Sequence, residues 1–102
     1  MGLSFTKIEK FISYYRENNE RKKFEIDISC SDERKNEISF FEVKWKELKK
    51  EEAEKILKEM EEKTASIQKN KNFGIIAKKV ENKEELRKEG YRIFDIGDFE
   101  KI

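Results

Sequence analysis

The sequence predicts one α/β domain spanning residues 1–102, with a single mixed sheet and a helical layer. Three observations carry that prediction. Apolar and polar residues alternate from Phe24 to Ile28 and again from Ile38 to Trp45, the period of half-buried strands. From Ala53 to Ile67 the apolar spacing changes to steps of three and four, the stripe of an amphipathic helix. After that helix, Ile75-Ile76-Ala77 forms a short apolar run of the kind found in buried strands. A long helix between two strands is the natural crossover of a parallel pair. The expected order is therefore a β-meander, crossover helix, strand, short helix, strand.

The elements follow in turn. Residues 3–17 fit two patterns. Phe5, Ile8, Phe11 or Ile12, and Tyr15 have helical spacing, whereas the aromatic and β-branched content from Phe11 to Tyr15 suits a strand. Arg16 to Arg21 is polar and contains Asn18-Asn19, a pair that tolerates left-handed backbone. Phe24, Ile26 and Ile28 then define one strand face, and Ser31 to Asn36 forms a hairpin connection. In the next strand Phe41, Val43 and Trp45 share one side, and Phe40, Glu42 and Lys44 the other. The helix is expected from about Lys49 to Lys69, with a Glu/Lys outer face that includes the pairs Glu51-Lys55 and Glu54-Lys58. A strand covers Phe73 to Val80. Asn82 and Glu85 resemble a capping box for a short helix that ends near Glu89, with Gly90 as its stop. Tyr91 to Ile96 reads as the last strand.

Composition narrows the chemistry. Charged residues make up 46% of the chain, yet 24 basic and 23 acidic side chains nearly cancel, so the net charge of +1 gives no bulk attraction to nucleic acid. The absence of His rules out Ser-His and Cys-His catalysis and His-ligated zinc. Cys30 has no second cysteine to bridge to within the chain, and a reducing cytoplasm is expected. No apolar run approaches the roughly 20 residues of a membrane-spanning helix. Abundant Lys, Glu and Ile without Pro is the composition expected of a thermophile.

One constellation stands out. Alternation puts Glu42 and Lys44 on one strand face, and Glu25 and Asp27 on one face of the preceding strand. Pairing of the two strands would gather up to three carboxylates and one ammonium, the raw material of a magnesium-dependent phosphodiester-cleaving site. The plain alternative is a solvated strand face with a cross-strand ion pair worth about 0–1 kcal/mol. Trp45 beside this patch either stacks on a base or packs in the core, and the sequence favours the core. Lys78 and Lys79 either reach a phosphate or are ordinary surface lysines.

The segments Phe24-Glu-Ile-Asp-Ile28, Phe40-Phe-Glu-Val-Lys-Trp-Lys-Glu-Leu48, Phe73-Gly-Ile-Ile-Ala-Lys-Lys79 and Lys88-Glu-Gly-Tyr-Arg-Ile-Phe-Asp-Ile96 together resemble a known domain. It is the C-terminal domain (DUF234) of the archaeal ATPase family, itself similar to the PD-(D/E)XK restriction-endonuclease-like nuclease superfamily. The resemblance implies that residues 5–15 form the first strand of the meander. It places metal carboxylates at Asp27 and Glu42 and a catalytic lysine at Lys44, with Glu25, Lys78 and Trp45 as accessory candidates and Mg²⁺ or Mn²⁺ as cofactor. Two departures accompany it. Nothing before residue 3 supplies the superfamily's leading helix, so the expectation is a restriction-endonuclease-like core lacking that helix, either a stand-alone domain or a fragment of a longer ATPase. The chain also has no G-x-x-x-x-G-K-[ST] loop, and no ATP site is expected.

The functional expectation is a metal-dependent nuclease-like domain acting on DNA, with a site that is either live or degenerate. The alternative is a non-catalytic interaction or regulatory module of an archaeal ATPase, with that ATPase or another protein as partner. An apolar sheet face left uncovered by the missing helix would favour a homodimer.

Overall fold

In the computed structural model, which describes residues 7–99, the first half of the chain is a three-stranded meander. Strand β1 spans Lys7–Glu17, β2 Glu20–Asp32 and β3 Glu37–Leu48. Residues 7–15 are thus strand, as the resemblance implies and against the helical spacing; residues 5 and 6 lie outside the described residues. Asn18 and Asn19 join β1 to β2 with φ of 54° and 65°. Two consecutive left-handed residues make the turn whose twist matches a hairpin, and Asn is the side chain that tolerates it best. The connection to β3 is closed by the Asp32 carboxylate, which accepts the Arg34 N–H at 3.1 Å.

Helix α1 (Lys50–Lys63) crosses over to β4 (Asn70–Val80), α2 (Lys83–Lys88) leads to β5 (Arg92–Phe94), and α3 (Ile96–Phe99) follows. The five strands lie in the order β1-β2-β3-β4-β5. The β1–β2 and β2–β3 pairs are antiparallel, and β3–β4 and β4–β5 parallel. The mixed sheet, the α1–β4 crossover and the α2–β5 unit agree with the sequence reading; α3 is an addition to it.

Several boundaries differ, β4 among them, which begins at Asn70 and not at Phe73. The long helix stops at Lys63 and not near Lys69: at Thr64 the backbone leaves helical values (φ −109°, ψ 10°), and its buried hydroxyl donates to Met60 O at 2.7 Å. Asn82 precedes α2 with left-handed φ of 57° and makes no side-chain cap. The last strand ends at Phe94, because the Asp98 carboxylate accepts the Asp95 N–H at 2.8 Å and closes a turn. Gly90 does end α2's region with φ of 100°, a conformation costly for other residues.

The core lies on one side of the sheet. Ile26, Phe40, Phe73, Ile75, Ala77 and Ile93 meet Ala53, Leu57 and Met60 of α1 and Leu86 of α2. Leu57 and Leu86 are fully buried, worth roughly 1.5–3 kcal/mol each. Phe11 sits edge-on to Phe40 at 4.9 Å, and Phe40 stacks on Phe73 at 5.7 Å.

Two irregularities shape the site. In the β1–β2 ladder Glu9 pairs with Ser29 but Phe11 pairs with Ile26, so Asp27 and Ile28 together face Lys10 in a β-bulge. The bulge overturns the expectation that Phe24, Ile26 and Ile28 share one face: Ile26 is in the core, while Ile28 pairs with Phe41 on the outer side. The β2–β3 ladder also stops at Ile28–Phe41. Beyond that point β2 pairs only with β1, and β3 only with β4, so the sheet forks.

Candidate functional site

Asp27 and Glu42 stand on opposite prongs at the root of the fork. The Asp27 N–H donates to Glu42 Oε1 at 3.3 Å, and the Val43 N–H donates to Asp27 Oδ2 at 2.9 Å. Each carboxylate thus takes a backbone donor of the other strand where a ladder bond would otherwise lie. The bulge frees the Asp27 N–H from β1, and the fork frees the Val43 N–H from β2. Lys44 follows Glu42 on the same face, its ammonium 3.8 Å from Glu42 Oε2. Of the three residues singled out from the sequence, Asp27 meets Glu42 across the fork and Lys44 neighbours Glu42.

Their environments differ. The Glu42 side chain is only 14% exposed, whereas that of Lys44 is 43% exposed. Burial pushes the Glu42 carboxyl above its ordinary range, and the charges of Asp27 and Glu59 add to the push. The Asp27 N–H and the Lys44 ammonium offset part of it. Glu42 and Lys44 border a recess of about 180 Å³ with Phe24, Glu25, Ile56, Glu59 and Met60. The sequence reading took Glu59 for part of a solvated helix face; no local signal ties a helix glutamate to a strand 17 residues earlier.

The accessory candidates fare differently. Glu25 borders the recess with Glu42 and Lys44, but its carboxylate is ion-paired with other lysines. It sits across from Ile12 on the outer side and is held by Lys10 at 3.3 Å and Lys23 at 2.9 Å. The Lys23 hydrogen bond, then that from Lys10, draws its carboxyl below the usual range. Of the three expected carboxylates, Asp27 and Glu42 are joined through backbone N–H groups across the fork, whereas Glu25 is engaged by two lysines. Trp45 is 70% exposed and does not fill the core; it follows the outer-side Val43 at the register shift between Lys44 and Glu47. Lys78 and Lys79 are exposed at the far end of β4.

A second charged cluster was not foreseen. Lys83 lies 2.8 Å from Asp95 and 3.4 Å from Asp98, and Arg87 lies 2.8 Å from Asp98. Asp95 also accepts the Val80 N–H at 3.2 Å. Burial alone would raise the Asp98 carboxyl, but Arg87, the Asp95 N–H and Lys83 outweigh it and bring it down to about 2. Its buried acids are satisfied within the cluster, which ties α2 and α3 to the end of β4. The available signal was Lys83 and Arg87 at i,i+4 spacing before two nearby aspartates.

Among the described residues no group of three or more Asp, Glu or Cys side chains is placed to hold a metal ion. The pair nevertheless suits a hard dication of the magnesium type, which uses one or two carboxylates and keeps its waters. Each carboxylate commits one oxygen to a backbone N–H, and the mutual repulsion felt by Glu42 is what a cation would relieve. Asp27 and Glu42 would be the protein's two ligands.

The fold and the fork define a small α/β domain with a paired-carboxylate and lysine motif at a parting of two strands. Residues 2–56 match the model of DUF234, described as "Archaea bacterial proteins of unknown function", and the chain belongs to that family. The matched region contains Asp27, Glu42 and Lys44. No curated protein and no solved structure matches the chain. Among the described residues no helix is long and apolar enough to cross a membrane.

Proposed function

We propose that the fork is the working end of a metal-dependent nuclease-like domain acting on DNA phosphodiesters, on a restriction-endonuclease-like scaffold. The observation that carries this reading is the meeting of Asp27 with Glu42, and of Glu42 with Lys44, where β2 and β3 separate. When bound, Mg²⁺ or Mn²⁺ supplies Lewis acidity at a phosphoryl oxygen and a more acidic water. Asp27 and Glu42 hold and orient that ion. Lys44, more exposed than Glu42, its nearest acid, swings toward the scissile phosphate and offsets the charge that builds there.

The test pairs cleavage with binding. Plasmid DNA is incubated with Mg²⁺ or Mn²⁺ and wild type, Asp27→Ala or Lys44→Ala, while calorimetry follows divalent binding to each. Cleavage that falls about a hundredfold or more in both variants, with Asp27→Ala also losing the divalent heat, supports the reading. Equal cleavage by all three proteins removes these residues from the chemistry.

One observation favours a second reading, a non-catalytic interaction or regulatory module of an archaeal ATPase. Both carboxylates already serve as backbone acceptors across the fork, and Glu42 is largely covered. The pair thus has a structural task that needs no ion. Absence of divalent heat together with tight binding to an ATPase partner would select this reading.

A further inference from the structure

We propose that the outer face of the sheet, opposite the core and apart from the fork, is a platform for single-stranded nucleic acid. Trp45 is 70% exposed there, Tyr14 54%, and Val43 and Phe94 38% each. Isolated exposed apolar groups are ordinary, but these share one side. Phe41 and Val43 alternate onto it, the exposed Trp45 follows Val43 at a register shift between Lys44 and Glu47, and Phe94 packs against Phe41 at 6.3 Å. Tyr14 joins them by pairing with Lys23, on the side away from Phe11 and Ile26. The buried faces of α1 and α2 both belong to the opposite side.

Charge selects the occupant. Arg92 pairs with Gly74 and so lies on this outer side, and Lys78 is exposed two residues beyond Ile76, at the β3–β4 register shift. Neither is held by an acidic side chain among the described residues. Arg21 stacks on Tyr14 at 4.2 Å. The nearby acid, Glu25, is already neutralised by Lys10 and Lys23. The exposed side of α1 instead interleaves Glu51, Glu54, Glu59 and Glu62 with Lys55, Lys58 and Lys63. The aromatic side thus carries Arg21 and Arg92 beside the ion-paired Glu25, while the helical side mixes both signs. A second copy docked face to face would oppose cation to cation. A duplex hides its base faces from a flat ring. A single strand offers stackable bases to Trp45 and Tyr14 and phosphates to the surrounding cations.

Trp45 is the chain's one tryptophan, so its fluorescence reports this surface directly. An oligothymidylate of about 12 nucleotides, within the usual single-strand site sizes, is titrated into the full chain in EDTA, which keeps the result independent of the fork. The expected outcome is saturable quenching that weakens as salt rises. By anisotropy of a labelled oligonucleotide, Trp45→Ala weakens binding about tenfold or more, and Arg92→Gln with Lys78→Gln reduces the salt slope. Both substitutions are at exposed or partly exposed positions, and circular dichroism confirms their fold. Absence of quenching overturns the proposal. So does equal binding of duplex, or unchanged affinity in Trp45→Ala. Quenching that follows protein concentration alone, with a dimer mass in sedimentation, assigns the face to a second copy and equally overturns it.

Discussion

Asp27 and Glu42 exchange backbone hydrogen bonds across the point where the sheet divides: the Asp27 N–H donates to Glu42 at 3.3 Å, and the N–H of Glu42's neighbour Val43 donates to Asp27 at 2.9 Å. Two side chains replace two rungs of a β-ladder. This relationship separates the structural and chemical contributions of the pair, because an amide keeps the acceptor and loses the charge.

For Asp27, the expected outcome is that Asp27→Asn folds with nearly wild-type stability. Asp27→Ala leaves the Val43 N–H without its acceptor and loses about 1 kcal/mol, the usual net value of one such bond. Urea denaturation measures both. Equal loss in Asn and Ala would show that charge, not the hydrogen bond, joins the prongs.

For Glu42, the pH dependence has a definite sign. Burial and the neighbouring Asp27 raise its carboxyl above 4.5, so the folded state holds the proton longer than the unfolded chain does. That contribution is complete below 4.5 and is lost as pH rises through the raised value. Glu42→Gln, a mimic of the protonated form, is therefore expected to match wild type in acid and to exceed it as pH approaches neutrality. Asp98 has the opposite sign. Lowered to about 2, it stabilises above 3.8 and loses that contribution as pH falls toward its folded value. Asp98→Asn is expected to lose about 1–2 kcal/mol near neutral pH, after allowance for its partial exposure. Melting curves of the three proteins across the acid range check both signs. A Glu42→Gln protein that lags further behind wild type as pH rises would contradict the first.

Gly74 shows why β4 approaches β5 so closely. A Cβ at this position would lie 2.3 Å from Arg92 O and 2.6 Å from the Phe41 ring. The first clash is with backbone, so relief requires β5 to move. Gly74→Ala is expected to lose about 2 kcal/mol or more, a fall in melting temperature of roughly 10 °C for a domain of this size. An unchanged melting temperature would mean that β5 is not held against β4 in solution.

The first strand shows where sequence reading needs help. Phe5, Ile8 and Phe11 keep helical spacing, but Phe11 packs on Phe40 and pairs with Ile26 as a strand residue. Pairing with β2 outweighs a local period. Trp45 is the converse case. Its side chain is the core-forming type, yet it stands exposed just past the outer-side Val43, at a register shift.

Local periodicity and turn chemistry by themselves determined the element order, the Asn18-Asn19 hairpin, the crossover of α1 and the company of Glu42 with Lys44, because each depends only on residues close together in the chain. Tertiary structure alone decided that Asp27 meets Glu42 across the fork while Glu25 is held by Lys10 and Lys23, that the charge of Glu59 acts on Glu42, and that aromatics and several cations share the uncovered side. The physical reason is pairing between strands. One extra residue in a ladder reverses which face the following side chains occupy, and the early end of a second ladder opens the space between them; neither is written in the residues that undergo it.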